Sequence, residues 1–380
     1  MNEGHGRPVK KVLFLFVTMP VGGAEMLCLQ FLKGLDRSRF ESLVCCIHDY
    51  GELGLEVKRA GYEVMALGRM RTRRFEPGTV LALANLLKSR QIDIVHTNMY
   101  HANLYGRLGA LLLTGGRPKI VTAVHSLYTE RKPHRMLVDR ILNRWTDRVL
   151  AVSDAVREDI LKYEGADPQK VEVLPLGADF ERLDIDLSPE EAKERIGLSP
   201  SDWVLGTVGR LVEAKGHRYL IEGLSILLER GLPLKLVIVG GGRLEADLRR
   251  RIAQRGLEHH VRLLGTRRDI PQLYKAMDLY VMASVSEAAS MALLEAMAVG
   301  LPCVVTSVGG MVDLVDGGRC GRLVPPADAV ALASAVEDLY FRKEESSRLG
   351  RAARRRSRSL YGREVMIRRL ESVYDNLVSA

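Results

Sequence analysis

The stretch MASVSEAASMALLEAMAVGLPCVV, residues 282–305, is the clearest indication of the fold class. It predicts the end of an apolar strand at residues 279–283, a helix at residues 291–299 and a second strand in PCVVTS, residues 302–307. Continuous apolar strands that alternate with helices are typical of a parallel sheet that is buried on both faces. This stretch therefore predicts one strand-helix-strand unit of a parallel α/β domain.

Two glutamates with seven residues between them lie in this stretch, Glu287 in the predicted loop and Glu295 in the predicted helix. Glu295 is the only charged residue between positions 288 and 312. An ionised carboxylate in apolar surroundings is costly unless donors bond to its oxygens, and sugar or ribose hydroxyls are suitable donors. Glu287 follows a parallel strand, where ligands gather in such folds. Taken alone, each glutamate is equally well explained as a solvated surface side chain.

The rest of the chain repeats the same alternation of strands and helices. Apolar strands are predicted in VLFLFVT, SLVCCI, EVMAL, DIVHT, KIVTAVH and RVLAVS of the first half and in WVLGTVG, LKLVIVGGG, VRLLG and LYVMAS of the second. Both halves begin with a strand, a glycine-bearing loop and a helix, at residues 12–34 and 203–230. Between residues 175 and 202 Pro, Asp, Glu and Ser collect, which indicates an interdomain linker. We predict two similar α/β domains that face each other.

Composition supports a globular protein with ordinary cores. The chain has 380 residues, of which 47% are hydrophobic and 27% charged, so disorder and fibrous structure are not expected. Its five cysteines lie mostly in apolar runs without metal-ligand spacing, which predicts reduced core residues and a cytosolic redox compartment. The apolar run after Lys10 and Lys11 is too short to span a bilayer, and we interpret it as a buried strand.

Positive charge is concentrated near the C-terminal end of the sequence. Residues 342–369 contain eleven Lys or Arg against three Glu, a balance of +8 out of the net charge of +9. Such a segment can contact anionic lipid head groups or nucleic acid phosphates, but a solvated helical face is the more common outcome. Tyr361 is its only aromatic residue, so base stacking is not supported and no nucleic acid partner is expected.

The loop GRLVEAKG, residues 209–216, has the features of an anion site. Its glycines allow backbone N–H groups to approach phosphates at the start of a helix. Arg210 can donate two hydrogen bonds to phosphate oxygens, and Lys215 supplies a point charge. Gly241, in the triple glycine that follows another strand, leaves room for a flat base or for a turn. A charged connector without a ligand remains the alternative for the loop.

Three further positions follow strands of the first half. Gly22 and Gly23 suit close approach to an anion or sugar, although no G-x-G-x-x-G pattern accompanies them and a plain tight turn fits equally well. His96 and His125 come at the ends of predicted strands, where a cleft would open. The pattern does not distinguish a buried structural histidine from one that contacts a ligand.

The segment TERKPHRMLVDRILNRWTDR, residues 129–148, is amphipathic. Its apolar side chains share one helical face, and Arg and Lys lie elsewhere. That face consists of Met136, Leu137, Ile141 and Trp145. We predict that it packs into the core, with contact to a membrane surface as the alternative.

Taken together, these motifs resemble the large family of retaining nucleotide-sugar glycosyltransferases with the GT-B fold. The resemblance rests on Glu287-x7-Glu295 followed by AMAVGLP, on GRLVEAKG before it, and on their order along the chain. Weaker matches extend it over nearly the whole sequence, in GGAE at 22–25, DIVHT at 93–97, AVS at 151–153 and LPLGAD at 174–179. Each piece alone is unspecific, whereas the ordered combination is specific.

The resemblance implies two Rossmann-like domains facing a cleft. It implies an acceptor-side domain of residues 1–180 together with the final helix at about 363–380, and a nucleotide-sugar domain of residues 181–362. Arg210 and Lys215 would stabilise the departing diphosphate, Glu287 would contact the sugar hydroxyls and Glu295 would hold the ribose. The remaining implied donor-site residues are Gly22, Gly23, Gly209, Gly241, Ser290, Met291 and Ala292, with His125 lining the sugar pocket.

The implied activity is a retaining transfer of a sugar from a UDP- or GDP-sugar to a glycan or lipid-linked glycan, in cell-surface polysaccharide or glycolipid synthesis. No cofactor or metal is expected, because cationic side chains and helix ends would neutralise the diphosphate. The expected location is the cytoplasm. Peripheral contact of the basic residues 342–369 with the inner face of the cytoplasmic membrane is the alternative to a solvated helical face. The alternative is a catalytically silent nucleotide-sugar-binding or scaffold homologue. One departure from the family pattern is Ala288-Ala289-Ser290, where Gly-Phe-Gly is usual, and it leaves the sugar preference open.

Overall fold

The computed structural model of the protein describes residues 9–20, 22–70, 75–128 and 133–378. The chain divides into two compact units. Unit 1 consists of Met1–Gly177 with Arg363–Ala380, and unit 2 consists of Ala178–Gly362. In the described part of the chain, no helix is long and apolar enough to cross a membrane.

Unit 1 contains, among its described residues, a seven-stranded sheet in which each strand is parallel to its neighbours. In chain order the strands are β1 (Lys10–Phe16), β2 (Phe40–Cys46), β3 (Glu63–Ala66), β4 (Ile94–Asn98), β5 (Lys119–Val124), β6 (Arg148–Ala151) and β7 (Val171–Val173). Their order across the sheet is β3-β2-β1-β4-β5-β6-β7. The helices of unit 1 are α1 (Gly23–Gly34), α2 (Gly51–Arg59), α3 (Pro77–Ser89), α4 (Tyr100–Leu111), α5 (Pro133–Leu142), α6 (Asp154–Asp159) and, at its C-terminal end, α15 (Arg363–Val378).

The final helix α15 is part of the unit 1 core. Its Tyr374 is fully buried, and its ring packs against that of Phe40 at a 60° tilt. The Tyr374 hydroxyl forms a 2.6 Å hydrogen bond with His96 Nδ1. Arg39 forms ion pairs with Glu371, at 2.9 Å, and with Asp375. The chain therefore returns to unit 1 after completing unit 2.

Unit 2 contains a parallel sheet with six strands among the described residues. These are β8 (Trp203–Val208), β9 (Leu234–Val239), β10 (Val261–Leu263), β11 (Leu279–Met282), β12 (Cys303–Thr306) and β13 (Arg322–Val324), in the order β10-β9-β8-β11-β12-β13. Its helices are α7 (Pro189–Arg195), α8 (His217–Glu229), α9 (Glu245–Gln254), α10 (Ile270–Lys275), α11 (Met291–Val299), α12 (Met311–Leu314), α13 (Ala329–Phe341) and α14 (Lys343–Leu360).

The two sheets share one topology, and this confirms the predicted α/β class. In each, the chain first builds three strands outward in one direction and then continues on the other side of the first strand. The strand order thus reverses between β1 and β4 in unit 1 and between β8 and β11 in unit 2. A crevice opens beyond the carboxyl ends of the strands at such a switch point, and ligands bind there in open α/β sheets.

The region predicted to be a linker contains a helix. Ser188 caps α7 by accepting a hydrogen bond from Glu191 N at 3.2 Å, and the Glu191 side chain accepts one from Ser188 N at 3.2 Å. This reciprocal capping box satisfies two helix-end donors. Leu187 and Ala192 pack with Ala276 of unit 2, so this segment is an ordered part of that unit.

The prediction that the apolar face of residues 129–148 packs into the core is wrong. Within α5 and the 3₁₀ turn that follows it, Leu137, Ile141 and Trp145 are 58%, 41% and 45% exposed. Met136 is half-buried, whereas Asp139 of the same helix is buried. The charged side chain faces inward because Arg107 of α4 binds it there. Residues 129–132 of the segment lie outside the described residues.

The basic C-terminal segment forms α14, which packs against α11, and the first turns of α15. Several of its arginines bind partners within unit 2. Arg358 forms a bidentate pair with Asp184 at 2.6 and 2.9 Å, and Arg356 donates to the carbonyls of Asp313 and Leu314. This part of the positive charge therefore stabilises unit 2 internally.

Candidate active site

The loop after β8 leads directly to the switch point of unit 2. It ends in the 3₁₀ turn Glu213–Lys215 and in Gly216, which begins α8 with φ 63°. A Cβ atom at Gly216 would lie 1.9 Å from the carbonyl oxygen of Ala283, at the end of β11. Glycine is required here because the conformation is left-handed and the two backbones touch. The loop is thereby held against the strand that precedes Glu287.

The same loop contacts the triple glycine that follows β9. Leu211 N donates to Gly241 O at 2.9 Å, and a Cβ atom at Gly240 would lie 2.0 Å from Gly209 O. The structure therefore brings the two loops that contain the predicted residues Gly209 and Gly241 together, backbone against backbone. Arg210 between them is exposed, and within the described residues its side chain forms no ion pair.

The loop after β11 supplies the opposite wall of this site. Val285 N donates to Ala214 O at 2.8 Å, which joins the β8 and β11 loops. Lys215 Nζ forms an ion pair with Glu287 Oε2, and Ser284 Oγ donates to the same oxygen at 3.4 Å. The two charged side chains are only 17% and 14% exposed. Two residues predicted on separate grounds, 72 positions apart, thus meet at the carboxyl ends of β8 and β11.

Helix α11 begins next to this pair, over the range predicted from the sequence. Ser290 caps it by accepting a hydrogen bond from Leu293 N at 3.2 Å, and Met291 and Ala292 form its first turn. The first N–H groups of an α-helix lack intrahelical acceptors, and the helix dipole gives them partial positive charge. The arrangement therefore offers anion-binding groups on the same side as Lys215.

Glu295 is buried within α11 and is not a solvated surface side chain. Only 8% of the Glu295 surface is exposed. Its Oε1 accepts a hydrogen bond from Arg182 Nη2, and its Oε2 accepts one from Tyr274 OH at 3.1 Å. Burial raises the pKa of Glu295, and the Arg182 guanidinium partly offsets that rise. A carboxylate has about four lone-pair positions, so both oxygens keep capacity for a further donor.

Arg182 and Tyr274 were missed by sequence analysis. Arg182 lies in the 3₁₀ turn Glu181–Leu183, 113 positions before Glu295, and Tyr274 lies in α10. Neither position has a local motif. The lone carboxylate of Glu295 within residues 288–312 indicates that a cation pairs with it. The sequence does not show which of the many arginines this is.

The predicted residues of unit 1 lie at two places, the start of α1 and the end of β5. Gly22 is the extended N-cap of α1, and Gly23 is its first residue, where an added Cβ would meet nothing within 4 Å. His125 follows β5, and its Nε2 lies 3.1 Å from Asn98 Oδ1 at the end of β4. Burial lowers the pKa of His125 to about 4, so the imidazole is neutral at physiological pH.

His96 is a structural histidine. It is fully buried, and its Nδ1 bonds to Tyr374 OH of α15. Burial, together with the neighbouring His125, lowers its pKa to about 3. Its Nε2 has no hydrogen-bond partner among the described atoms. Of the two strand-end histidines, only the half-buried His125 is partly accessible to a ligand.

Comparison with known proteins shows the family of the chain. Residues 188–356 match the family model "Glycosyl transferases group 1", and residues 21–182 match "Glycosyltransferase Family 4". A UDP-Gal:alpha-D-GlcNAc-diphosphoundecaprenol alpha-1,3-galactosyltransferase of Escherichia coli is 32% identical over 270 residues, which cover 68% of this chain and 69% of the relative. The chain belongs to this glycosyltransferase family. It is accordingly an enzyme of the glycosyl-transferring class.

Other similar proteins extend the comparison. The glycosyltransferase is 25% identical to the capsular polysaccharide biosynthesis glycosyltransferase CapM of Staphylococcus aureus, over 79% of this chain and 81% of CapM. The crystal structure of Anabaena HepE in complex with UDP superposes with a TM-score of 0.85 at 23% identity, covering 96% of this chain and 100% of HepE. At that identity the superposition shows the fold alone. The glycosyltransferase thus has the two Rossmann-like domains of GT-B enzymes.

Proposed function

We propose that the enzyme transfers a sugar from a UDP- or GDP-sugar to a glycan or lipid-linked glycan acceptor, with retention of the anomeric configuration and without a metal ion. The observation that carries the proposal is the Lys215–Glu287 pair at the switch point of unit 2. It places one cation and one hydroxyl-accepting carboxylate side by side, beyond the ends of two parallel strands. A sugar diphosphate needs both kinds of group within one site.

The cationic part of the site suits the leaving group. Cleavage of the sugar–phosphate bond places growing negative charge on the diphosphate, and preorganised positive groups lower that barrier. Lys215 supplies a full charge, and the first turns of α8 and α11 supply partial charges. Arg210, exposed in the same loop, would join them when a phosphate is bound.

The carboxylates suit the two hydroxyl-bearing ends of the donor. Glu287 would accept hydrogen bonds from the sugar hydroxyls while Lys215 turns toward phosphate. Glu295, held by Arg182 and Tyr274, would accept from the ribose, since a positioned carboxylate loses little entropy on binding. Ser290, Met291 and Ala292 would add backbone N–H donors. Gly22, Gly23 and the neutral His125 of unit 1 would contact the sugar and the acceptor.

The E. coli relative and the structural neighbour HepE favour UDP over GDP, and the E. coli relative also favours a lipid-linked acceptor. The E. coli relative is named for UDP-Gal and a diphosphoundecaprenol acceptor, and HepE was crystallised with UDP and with UDP-glucose. On this basis we place the enzyme in cell-surface polysaccharide or glycolipid synthesis at the inner face of the cytoplasmic membrane.

The direct test is a donor screen. Each UDP- and GDP-sugar is scored for slow hydrolysis and for thermal stabilisation, since a ligand at 100 times its Kd adds about 2.7 kcal/mol to the free energy of unfolding. We expect UDP-sugars to give both effects in the wild type, and Lys215→Ala to bind donor without hydrolysing it. Stabilisation by neither nucleotide class would contradict the proposal.

Two further measurements test the finer points. The anomeric configuration of the product, read by NMR coupling constants, should equal that of the donor. Activity should survive EDTA. Among the described residues, no group of three or more His, Cys, Asp or Glu is arranged to hold a metal ion. If EDTA abolishes activity and Mg²⁺ or Mn²⁺ restores it, the donor binds as a complex with a cation.

A further inference from the structure

Helix α5 is oriented by a buried polar anchor. Arg107 of α4, 2% exposed, forms an ion pair with Asp139 and donates to Asn143 Oδ1 at 3.0 Å. Asn143 in turn donates to Glu164 Oε2 at 2.9 Å. A buried charge that loses its partner costs several kcal/mol, so this network fixes which side of α5 faces the core.

The opposite side of α5 is apolar and exposed. At 100° per residue, positions two before and two after Asp139 lie about 200° away from it, on the far side of the helix. These positions are Leu137 and Ile141, and Trp145 continues the stripe in the following 3₁₀ turn. We call these three residues the α5 surface. Single exposed apolar residues are ordinary, but three in one stripe on an anchored helix are not.

Cations surround the α5 surface. Arg140 and Arg144 are exposed on the same helix and turn. Lys170 Nζ donates to Arg144 O at 3.2 Å, and Arg117 Nη1 donates to Trp145 O at 3.0 Å, which places both cations beside the stripe. The nearby carboxylate of Asp147 is already bound to Arg117, at 3.5 Å. The surface therefore combines an apolar stripe with an excess of positive charge.

We propose that the α5 surface docks on an anionic lipid surface. The three apolar side chains would enter the boundary between head groups and acyl chains, and the flanking cations would contact the lipid phosphates. Tryptophan is the residue type most enriched at that boundary. This surface differs from the basic segment 342–369, whose helix α14 packs against α11 and binds several of its arginines within unit 2.

The first experiment measures flotation of the full chain with vesicles of phosphatidylglycerol and phosphatidylcholine, without nucleotide-sugar. We expect binding that rises with the phosphatidylglycerol fraction. In Leu137→Ser/Ile141→Ser the partition coefficient should fall by about tenfold or more, because removal of a Leu or Ile side chain from an apolar phase costs about that factor. The matched control is Phe341→Ser, at a side chain 66% exposed in unit 2, which should bind as the wild type does. Equal loss in both variants would overturn the proposal.

The second experiment uses intrinsic fluorescence. The chain has two tryptophans, and Trp203→Phe leaves Trp145 as the only one. Anionic vesicles should shift the Trp145 emission to the blue, and brominated acyl chains should quench it. Binding of the protein without a shift or quenching would show that another surface touches the lipid.

The third experiment separates the two basic regions. Arg140→Glu/Arg144→Glu should weaken vesicle binding by about tenfold or more, since each cation near an anionic membrane contributes about 1 kcal/mol. Arg351→Glu/Arg355→Glu, which makes the same charge change on α14, should have less than a threefold effect. The reverse result would assign membrane contact to residues 342–369 and overturn the proposal.

A second copy of the chain is the competing occupant. Sedimentation equilibrium without lipid tests it, and we expect a monomer at micromolar concentration. Self-association abolished by Leu137→Ser/Ile141→Ser would assign the α5 surface to a protein interface instead. Vesicle binding requires no donor, so these outcomes are independent of the proposed transferase chemistry.

Discussion

The two units share one sheet topology, but the loops that follow their central strands differ in charge. In unit 2 the loops after β8 and β11 bring Lys215 and Glu287 into an ion pair. In unit 1 the corresponding loop after β1 contains Gly22 and Gly23, and the loops after β4 and β5 bring together the uncharged Asn98 and His125. The shared fold determines where a ligand can lie, and the side chains determine which ligand it is. The unit 2 crevice therefore presents a cation and a carboxylate, whereas these unit 1 loop residues are uncharged.

The largest effect is expected at the cation of unit 2. Lys215→Ala should lower kcat by about 10²–10³-fold, because it removes a preorganised charge from the leaving group. KM for the donor should change little. The protein should stay folded at the assay temperature, although Glu287 loses its largely buried partner and the free energy of unfolding falls. Steady-state kinetics and urea unfolding measure these quantities. Lys235→Ala, whose exposed ammonium only binds the carbonyl of His259 at 3.0 Å, is the matched control. A loss of stability that parallels the loss of turnover would give Lys215 a structural role.

Two glycines that lie after the first strands of the two units, Gly216 and Gly23, should differ in how much one added methyl group destabilises the protein. Gly216→Ala forces a Cβ atom against Ala283 O in a left-handed backbone, and we expect it to destabilise unit 2 by about 3 kcal/mol. Gly23→Ala places the methyl group in open space at a helix start, with an expected change within about 0.5 kcal/mol. Urea unfolding of both variants checks this. Equal tolerance would mean that the β8 loop is not clamped against β11.

The buried carboxylate should affect nucleotide affinity more than turnover. Glu295→Ala should weaken UDP binding by about tenfold to a hundredfold, the usual range for a hydrogen bond to a charged group. Arg182→Met removes the cation that opposes the burial effect, so the pKa of Glu295 should rise further. UDP affinity in that variant should therefore begin to fall at a higher pH than in the wild type. Calorimetric titrations between pH 5 and 8 test both points, and unchanged UDP affinity in Glu295→Ala would refute the ribose contact.

The smallest effect concerns the neutral site in unit 1. Burial lowers the pKa of His125 from 6.5 to about 4, so between these values the unfolded chain binds a proton that the folded chain does not. The contribution of the neutral His125 to the free energy of unfolding is therefore fully present above pH 6.5 and is lost as the pH falls toward 4. His125→Asn should reduce that acid sensitivity. If both proteins show the same dependence of unfolding on pH, His125 does not titrate as a buried neutral group.

Sequence patterns were reliable for long apolar elements. The helices at Met291–Val299 and Arg363–Val378 and the first six strands of unit 1 follow from periodicity and apolar runs. The three-residue strands β7 and β13 were not predicted, whereas the equally short β10 was predicted from the run VRLLG. The helix α7 was also missed, although Ser188 and Glu191 have the spacing of a capping box.

The site was predictable only where motifs lie next to strand ends. Lys215 and Glu287 each follow a strand, and adjacent strands bring them together. The partners of Glu295 come from sequence-distant segments, and no local pattern connects Arg182 with Tyr274. For α5, periodicity correctly grouped Leu137, Ile141 and Trp145 on one face. It could not show what that face meets, because the buried Arg107–Asp139 pair determines the helix orientation.

The return of α15 to unit 1 has a consequence for synthesis on the ribosome. Domains generally fold in the order in which their residues emerge. Here the first unit to begin is the last to be completed, since His96 and Arg39 obtain their partners Tyr374, Glu371 and Asp375 only after all of unit 2 has been translated. We expect a nascent chain arrested at Gly362 to contain a complete unit 2 and an incomplete unit 1 that still exposes core residues to chaperones.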